Sequence, residues 1–108
     1  MAFQFATKIA ELIKAGTMRV VLDEKPLLLA YHKDDVYALS DKCPHMKHSL
    51  YEGTYGDGSV TCKRHGATVD VTTGEIKAKA KLLFMKMPTK KAQTYVTKVV
   101  DDDVFVLM

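Results

Sequence analysis

Two short segments of the chain each combine a cysteine with a histidine. Cys43 and His45 are separated by one residue, and Cys62 and His65 are separated by two. These are the only two cysteines of the 108-residue chain and two of its four histidines. Thiolate and imidazole groups are common ligands of zinc and of iron. The two pairs together therefore offer two sulfur ligands and two nitrogen ligands for one metal centre.

The spacing within each pair distinguishes between two kinds of metal centre. A tetrahedral zinc ion can take two cysteines and two histidines, but the usual zinc segments pair like ligands. Here both pairs are mixed, and Cys43-Pro44-His45 is tight for two bonds to a single ion. A two-iron cluster removes this constraint, because one segment can send its cysteine to one iron and its histidine to the other. The pattern favours the cluster over zinc, and both over a disulfide or unliganded thiols.

His48 lies near enough in sequence to be considered as a further ligand of the first segment. A triplet of Cys43, His45 and His48 would have no counterpart in the second segment, which contains one cysteine and one histidine. A lone histidine commonly has a structural or solvent-facing role. We interpret His48 as a polar loop residue.

Short apolar runs along the chain predict the β-strands that must hold these ligands. Many of the runs contain β-branched residues, and turn-forming residues separate them, which is typical of an all-β sandwich or barrel. The turns fall at 23–26, 33–35, 56–59, 72–75 and 101–103. The candidate strands cover residues 3–7, 18–22, 27–32, 35–39, 59–62, 68–71, 81–86, 94–100 and 103–107.

One segment, residues 9–16, shows the apolar spacing of a helix, which should end at Gly16. A chain of 108 residues is long enough for one packed domain and too short for two of ordinary size. Residues 36–74 are richer in glycine, histidine, cysteine and turn residues than their flanks. We therefore predict a single domain over 1–108, with a metal-binding subdomain at about 41–70 inserted between strands of the scaffold.

Charge and hydropathy exclude several kinds of partner. The net charge of +3 is scattered along the chain, and aromatic and basic residues do not interleave as in a nucleic-acid platform. The longest apolar runs, such as "LLLAY" at 27–31, are far shorter than the roughly 18 residues of a membrane span. The first residues lack the apolar core of a secretory signal. We expect a soluble, cytoplasmic protein without nucleic-acid or membrane partners, whose thiols stay reduced.

The sequence around the ligand pairs resembles that of the Rieske-type [2Fe–2S] ferredoxins. "CPHMKHSL" at 43–50 and "CKRHGA" at 62–67 resemble the Rieske signature C-x-H and C-x-x-H. "VYAL", "SLYEG", "HGATVDVTTGE" and "TYVTKVVDDDVFV" extend the resemblance over almost the whole chain. The resemblance implies a Rieske-like antiparallel β-sandwich or barrel that carries one [2Fe–2S] cluster on two loops. It also implies that Cys43 and Cys62 bind the inner iron and that His45 and His65 bind the outer iron.

Two departures from the family bear on the redox potential. Respiratory Rieske proteins have a disulfide between the two loops, and this chain has His48 and Arg64 in those places. Those relatives also have a serine and a tyrosine that donate hydrogen bonds to the cluster sulfurs, at positions that look like Ala67 and Val69 here. Such hydrogen bonds stabilise the reduced cluster, so their loss lowers the potential. We predict a potential in the lower part of the Rieske range of roughly −150 to +300 mV.

The resemblance suggests a one-electron carrier rather than an enzyme. It would pass electrons from a flavin-dependent ferredoxin reductase to the terminal oxygenase of a ring-hydroxylating dioxygenase system. Positive charges flank the ligands, at Lys42, Lys47, Lys63 and Arg64. Two interpretations stay open for them: they steer such partners, or they are ordinary solvated loop charges. The second hypothesis is a small Rieske-like subunit of a larger reductase, such as a nitrite reductase. The third is an interaction module stapled by zinc.

Overall fold

The computed structural model describes residues 2–41, 49–62, 68–78 and 92–108. Within these ranges the strands form three antiparallel sheets. In chain order the elements are β1 (Phe3–Lys8), α1 (Ile9–Ala15), β2 (Thr17–Leu22), β3 (Lys25–His32), β4 (Asp35–Ser40), a 3₁₀ turn (Leu50–Glu52), β5 (Thr54–Gly56), β6 (Ser59–Thr61), β7 (Thr68–Asp70), β8 (Ile76–Ala78), β9 (Thr94–Tyr95), β10 (Thr97–Val100) and β11 (Asp103–Leu107).

The sheets can be named by their positions. The terminal sheet has the strand order β1-β11-β10, the central sheet β2-β3-β4-β9, and the distal sheet β5-β6-β7-β8. The predicted all-β architecture is confirmed, and the described elements include a single α-helix. No helix in the described part of the chain has the length and apolar character needed to cross a bilayer.

Strand β3 forms the shared wall of two hydrophobic clusters. Four consecutive residues, Leu27 to Ala30, are completely buried. Successive side chains of a strand point to opposite faces of its sheet. Leu27 and Leu29 accordingly pack with Leu12 of α1 and with β11, whereas Leu28 and Ala30 pack with the distal sheet. The central sheet is thus covered on both faces, and burial of each such leucine contributes about 1.5–3 kcal/mol.

Tight turns set the register of the hairpins. Asp23-Glu24, Lys33-Asp34 and Asp57-Gly58 each join two strands, and all six residues have positive φ values between 48° and 76°. Two-residue turns with both central residues at positive φ match the right-handed twist of the flanking strands. Three of the predicted turns, 23–26, 33–35 and 56–59, are therefore confirmed as hairpin turns.

The predicted helix at 9–16 is also confirmed. Helix α1 ends at Gly16, whose φ of 83° favours glycine and whose N–H donates to the Leu12 carbonyl at 2.8 Å. The Gly16 carbonyl then accepts a hydrogen bond from the Tyr31 N–H on β3 at 2.9 Å. This bond fixes the connector helix to the central sheet.

Seven of the nine predicted strands are present, with ends that differ by at most two residues. The predicted strand at 94–100 is wrong as a single element. The chain forms β9 in the central sheet and β10 in the terminal sheet, with a break at Val96 where it passes from one to the other. Two strands of the described residues, β5 and β8, were not predicted; each has three residues. The predicted strand at 81–86 lies outside the described residues.

Candidate metal centre

The four predicted ligands fall in and beside two segments outside the described residues. We call residues 42–48 the first ligand segment and residues 63–67 the second ligand segment. Cys43, His45 and His65, together with His48, lie within these segments. Cys62 lies within the described chain, immediately before the second segment. The described residues therefore show how both ends of each segment are attached to the rest of the fold.

Cys62 follows β6 and is almost completely buried, with 2% of its surface exposed. It packs in the hydrophobic cluster with Leu50, Val60 and Val69, beneath the distal sheet. Moving an anionic group into apolar surroundings costs several kcal/mol unless a positive charge compensates for it. A thiolate at Cys62 is therefore suited to a bond with a metal ion, which supplies that charge.

The second ligand segment begins and ends at one hairpin. Thr61 on β6 is the register partner of Thr68 on β7. The side-chain hydroxyls of these two threonines also form a hydrogen bond, with 3.0 Å between the two Oγ1 atoms. Cross-strand threonine pairs of this kind stabilise neighbouring strands. The chain thus leaves and re-enters the distal sheet at adjacent points on either side of Cys62 and His65.

The first ligand segment is closed at its base by the carboxylate of Asp41. Oδ2 of Asp41 accepts hydrogen bonds from Ser49 Oγ at 2.5 Å and from Arg19 Nε at 2.9 Å. Oδ1 accepts a hydrogen bond from the backbone N–H of Tyr51 at 2.7 Å. The Asp41 side chain has no exposed surface, whereas 45% of the Arg19 side chain is exposed. One buried carboxylate therefore joins the residue before the segment to the residues after it.

The backbone of Asp41 is held by the central sheet. Its N–H donates to the carbonyl of Pro26 on β3 at 3.0 Å, and the preceding N–H of Ser40 donates to the carbonyl of Gln93 at 2.8 Å. The start of the first ligand segment is consequently fixed to the scaffold by main-chain bonds on both sides.

The described residues that follow the first ligand segment contact a described residue that precedes the second. After the 3₁₀ turn, the Gly53 N–H donates to the Leu50 carbonyl at 2.9 Å. A Cβ atom at Gly53 would lie 2.1 Å from the carbonyl oxygen of Thr61, the residue before Cys62. Real Cβ atoms do not approach an oxygen so closely, so this position requires glycine. The residues that follow the first ligand segment and the residue that precedes Cys62 therefore lie in contact.

A tyrosine hydroxyl connects the distal sheet to the central sheet. The Tyr55 hydroxyl donates a hydrogen bond to the carbonyl of Tyr31 on β3 at 2.9 Å, which ties β5 to the central sheet. Burial raises the pKa of Tyr55, and the negative charge of Asp57 adds to the rise. Burial likewise raises the pKa of Tyr31, assisted by its hydrogen bond to Asp34. Both phenols are therefore favoured in their neutral form.

One of the two positions that we compared with hydrogen-bond donors of relatives can be placed. Val69 on β7 is completely buried in the same cluster as Cys62 and has no polar side-chain atom. The other position, Ala67, lies outside the described residues. At the Val69 position, therefore, this chain has no side-chain donor for a cluster sulfur.

Sequence reasoning missed the residues that close the base of the site. Asp41 and Ser49 stand directly beside the first ligand segment, but nothing in their spacing indicates a hydrogen bond between them. The third partner, Arg19, is 22 residues from Asp41 in the sequence. From the sequence, Gly53 is interpreted as a turn residue, because glycine is common in turns. Its close approach to Thr61 has no sequence signal. The sequence does show two polar residues, Asp41 and Ser49, on either side of Cys43 and His45.

Comparison with known families identifies the class of protein. The family of the Rieske [2Fe–2S] domain matches residues 3–83, a range that includes both ligand pairs. The chain therefore belongs to the Rieske [2Fe–2S] domain family, as the resemblance predicted. Proteins of this family carry one [2Fe–2S] cluster, and the same cofactor is assigned to this chain.

Two kinds of curated relative match part of the chain. Apoptosis-inducing factor 3 from Mus musculus and from Homo sapiens is 35% identical over 65 residues, which is 59% of this chain and 11% of those proteins. The anthranilate 1,2-dioxygenase ferredoxin subunit of Burkholderia cepacia is 35% identical over 54 residues, half of each protein. The chain thus spans a small part of the first two relatives and about half of the third.

Solved structures confirm the fold over nearly the whole chain. The ferredoxin of carbazole 1,9a-dioxygenase from Nocardioides aromaticivorans IC177 superposes with a TM-score of 0.82 at 20% identity, covering 98% of this chain and 97% of that one. A chain from the complex of reduced oxygenase and oxidized ferredoxin in carbazole 1,9a-dioxygenase also gives 0.82 at 24% identity, covering 96% and 91%. The terminal oxygenase from the same Nocardioides strain gives 0.76 at 24% identity, covering 98% of this chain and 30% of that one.

Proposed function

We propose that the chain is a one-electron carrier whose [2Fe–2S] cluster is bound by Cys43, His45, Cys62 and His65. The observation that carries the proposal is the family match over residues 3–83, because that range contains all four ligands in the C-x-H and C-x-x-H pattern. The contact between Gly53 and Thr61 supports it, since it joins the residues after the first ligand segment to the residue before Cys62. In this proposal the whole chain is a single domain with its cluster-binding part at about 41–70.

The donor set fits the proposed cluster. Rieske centres replace two of the four cysteine ligands with histidines on one of the two irons, and the two pairs here supply that set. Cys43 and Cys62 would bind the inner iron, and the burial of Cys62 supports that role. His45 and His65 would bind the outer iron through neutral ring nitrogens, which leaves a ring N–H on each imidazole. When bound, the cluster supplies the uptake and release of a single electron.

The protein around the cluster would set its potential and its exchange of protons. Val69 presents no hydrogen-bond donor from its buried position, which favours the oxidised state of a nearby cluster. The remaining ring N–H groups of His45 and His65 should become more acidic when the cluster is oxidised, because positive charge on iron repels the proton. We therefore infer a low potential that falls further as the pH rises.

We propose that the partners are a flavin-dependent reductase and a terminal oxygenase. Similarity to the ferredoxin subunit of anthranilate 1,2-dioxygenase supports this role. The fold is also shared with a chain from a complex of oxygenase and ferredoxin. Lys42, Lys47, Lys63 and Arg64 lie beside the ligands in the sequence, so an acidic surface on a partner would complement them. Reduced thiols and an iron–sulfur cluster are suited to the cytoplasm, where we place the protein.

A second candidate function is a fixed Rieske domain within a larger assembly. The observation in its favour is that the fold also matches 30% of a terminal oxygenase chain. The small subunit of a larger reductase, such as a nitrite reductase, would be one form of this arrangement. Purification of the native protein from its own cells separates the two candidates. A carrier elutes at the size of the single chain, whereas a subunit elutes with a stable large partner.

Metal analysis and spectroscopy test the proposed ligands. The purified chain should contain two irons and two acid-labile sulfides, in the ratio that defines the cluster. After reduction, its EPR spectrum should show mixed histidine and cysteine ligation. His45→Ala and Cys62→Ser should abolish that spectrum, whereas the control His48→Ala should keep it. One zinc per colourless chain would instead support the zinc-stapled module, and loss of the cluster in His48→Ala would contradict the ligand assignment.

A further inference from the structure

Asp41 accepts three hydrogen bonds from residues in three different parts of the chain. The residue buries a carboxylate completely and pairs it with Arg19, half of which remains in solvent. Buried ion pairs contribute little to stability on average, because the loss of hydration offsets the attraction between the charges. A well-packed apolar residue could fill such a site at a similar or lower cost. The arrangement therefore indicates a geometric role for the carboxylate.

The partners of Asp41 show which parts of the chain that role concerns. Asp41 precedes the first ligand segment, and two of its donors, Ser49 Oγ and Tyr51 N–H, follow that segment. Between these two donors stands Leu50, which is completely buried in the same cluster as Cys62. The turn that begins at Leu50 leads directly to Gly53, whose backbone contacts Thr61.

These contacts form a continuous chain across the base of the candidate site. It runs from Arg19 on β2, through the Asp41 carboxylate, to the 3₁₀ turn and then to the residue before Cys62. Each step is a hydrogen bond or a backbone contact between described residues. A displacement of Asp41 would therefore move one end of the first ligand segment relative to Cys62.

We propose that Asp41 is a positioning residue that fixes both ends of the first ligand segment against Cys62. It would bring Cys43 and His45 into the position from which they complete the cluster with Cys62 and His65. Residues behind a metal's direct ligands commonly set the orientation of those ligands, and their mutation typically lowers metal retention by about 10–100-fold. The proposal rests on the ligand set proposed above.

Two variants remove the contacts in graded steps. Asp41→Asn keeps the shape of the side chain but removes its charge, and it turns an NH2 group toward at least one of the three donors. Ser49→Ala removes one donor and leaves the carboxylate in place. We expect Asp41→Asn to release iron to a chelator about 10–100-fold faster than the unaltered protein. The iron-release rate of Ser49→Ala should lie between those of Asp41→Asn and the unaltered protein. The EPR spectrum of the reduced protein should broaden or shift more in Asp41→Asn than in Ser49→Ala.

Val104→Ala is the matched control for general destabilisation. Val104 is completely buried on β11, in the cluster on the opposite face of the central sheet from Cys62. Its truncation weakens the scaffold but leaves every contact of Asp41 intact. Under native conditions it should keep the unaltered EPR spectrum and iron-release rate. If Asp41→Asn does not fold, Ser49→Ala and Arg19→Met carry the same comparison.

The outcomes separate this inference from the proposed function. If the unaltered chain shows the Rieske spectrum but the Asp41 and Ser49 variants release iron no faster, the positioning role is wrong and the carrier function stands. Equal acceleration in Val104→Ala would also overturn the positioning role, because it would trace the effect to global stability. If the unaltered chain binds no iron–sulfur cluster, the proposed function itself fails.

Discussion

Replacing Gly53 with alanine should strongly destabilise the protein, because the added methyl group has no space. The Cβ atom would lie 2.1 Å from the Thr61 carbonyl oxygen, 3.0 Å from its carbonyl carbon and 3.1 Å from the Leu50 carbonyl oxygen. All three atoms belong to the backbone and cannot turn away as a flexible side chain could. The φ of Gly53 is −79°, which alanine also adopts, so the effect is purely steric.

The size of the effect follows from the cost of an overpacked site. Inserting a methyl group into closely packed structure typically costs about 1–3 kcal/mol, and a clash with rigid backbone belongs near the upper end. For a domain of this size, each kcal/mol lowers the melting temperature by about 4–8 °C. We therefore expect Gly53→Ala to lower the free energy of unfolding by about 2–3 kcal/mol and the melting temperature by roughly 8–24 °C.

Gly56→Ala is the matched control for this experiment. Gly56 also lies on the distal sheet, three residues further along the chain, but an added Cβ would meet no atom within 4 Å. Urea unfolding and thermal scans should show Gly56→Ala within about 0.5 kcal/mol of the unaltered protein. If Gly53→Ala is as stable as Gly56→Ala, the close approach of Gly53 to the Thr61 carbonyl is refuted.

Three further predictions concern a turn, a buried phenol and the cluster. Lys33 has a φ of 48°, which costs a non-glycine residue about 1–2 kcal/mol, while glycine loses about 0.5–1 kcal/mol more backbone entropy on folding. Lys33→Gly should therefore raise the free energy of urea unfolding by up to about 1.5 kcal/mol, and a decrease would show that the turn carries no strain. Because the pKa of Tyr55 is raised in the folded state, its neutral phenol contributes fully to stability at a pH below the ordinary value of 10.0. That contribution is lost as the pH rises through the raised pKa. Urea unfolding at pH 8 should accordingly show Tyr55→Phe to be less stable than the unaltered protein by about 0.5–1.5 kcal/mol. Above pH 10 the two proteins should be closer in stability. A difference that is the same at both pH values would contradict a raised pKa at Tyr55. Protein-film voltammetry should give a midpoint potential in the lower part of roughly −150 to +300 mV that falls as the pH rises past the pKa values of His45 and His65 in the oxidised state; a potential well above zero, or one that stays flat into the alkaline range, would count against the proposed site.

The sequence predicted the parts of the fold that depend on local pattern. Short apolar runs bounded by turn residues indicate strands, so β3 and β11 could be located from residues 27–32 and 103–107. The helix end at Gly16 and the acidic hairpin turns depend on local backbone conformation, so they could also be predicted from the sequence. The metal-binding pattern was recognisable because ligand chemistry demands particular residue types at short spacing.

The base of the candidate site depends on contacts between distant parts of the chain, which a pattern does not encode. Arg19 has no local feature that pairs it with Asp41, and the requirement for glycine at position 53 arises only when β6 passes beside it. The division of 94–100 into two strands has a similar origin. Its apolar residues suit either sheet, and the packing of the whole domain determines where Val96 interrupts the pairing.

The double burial of β3 has a consequence for how the protein can come apart. Leu28 and Ala30 complete the hydrophobic cluster that contains Cys62, while Leu27 and Leu29 of the same strand complete the cluster beneath the terminal sheet. Neither cluster can lose this strand without exposing the other. We therefore expect the metal-binding part and the scaffold to unfold in one cooperative transition, and a fragment limited to residues 41–70 to lack the wall against which Cys62 packs. The integrity of β3 should thus be required for the packing around Cys62 as well as for the scaffold.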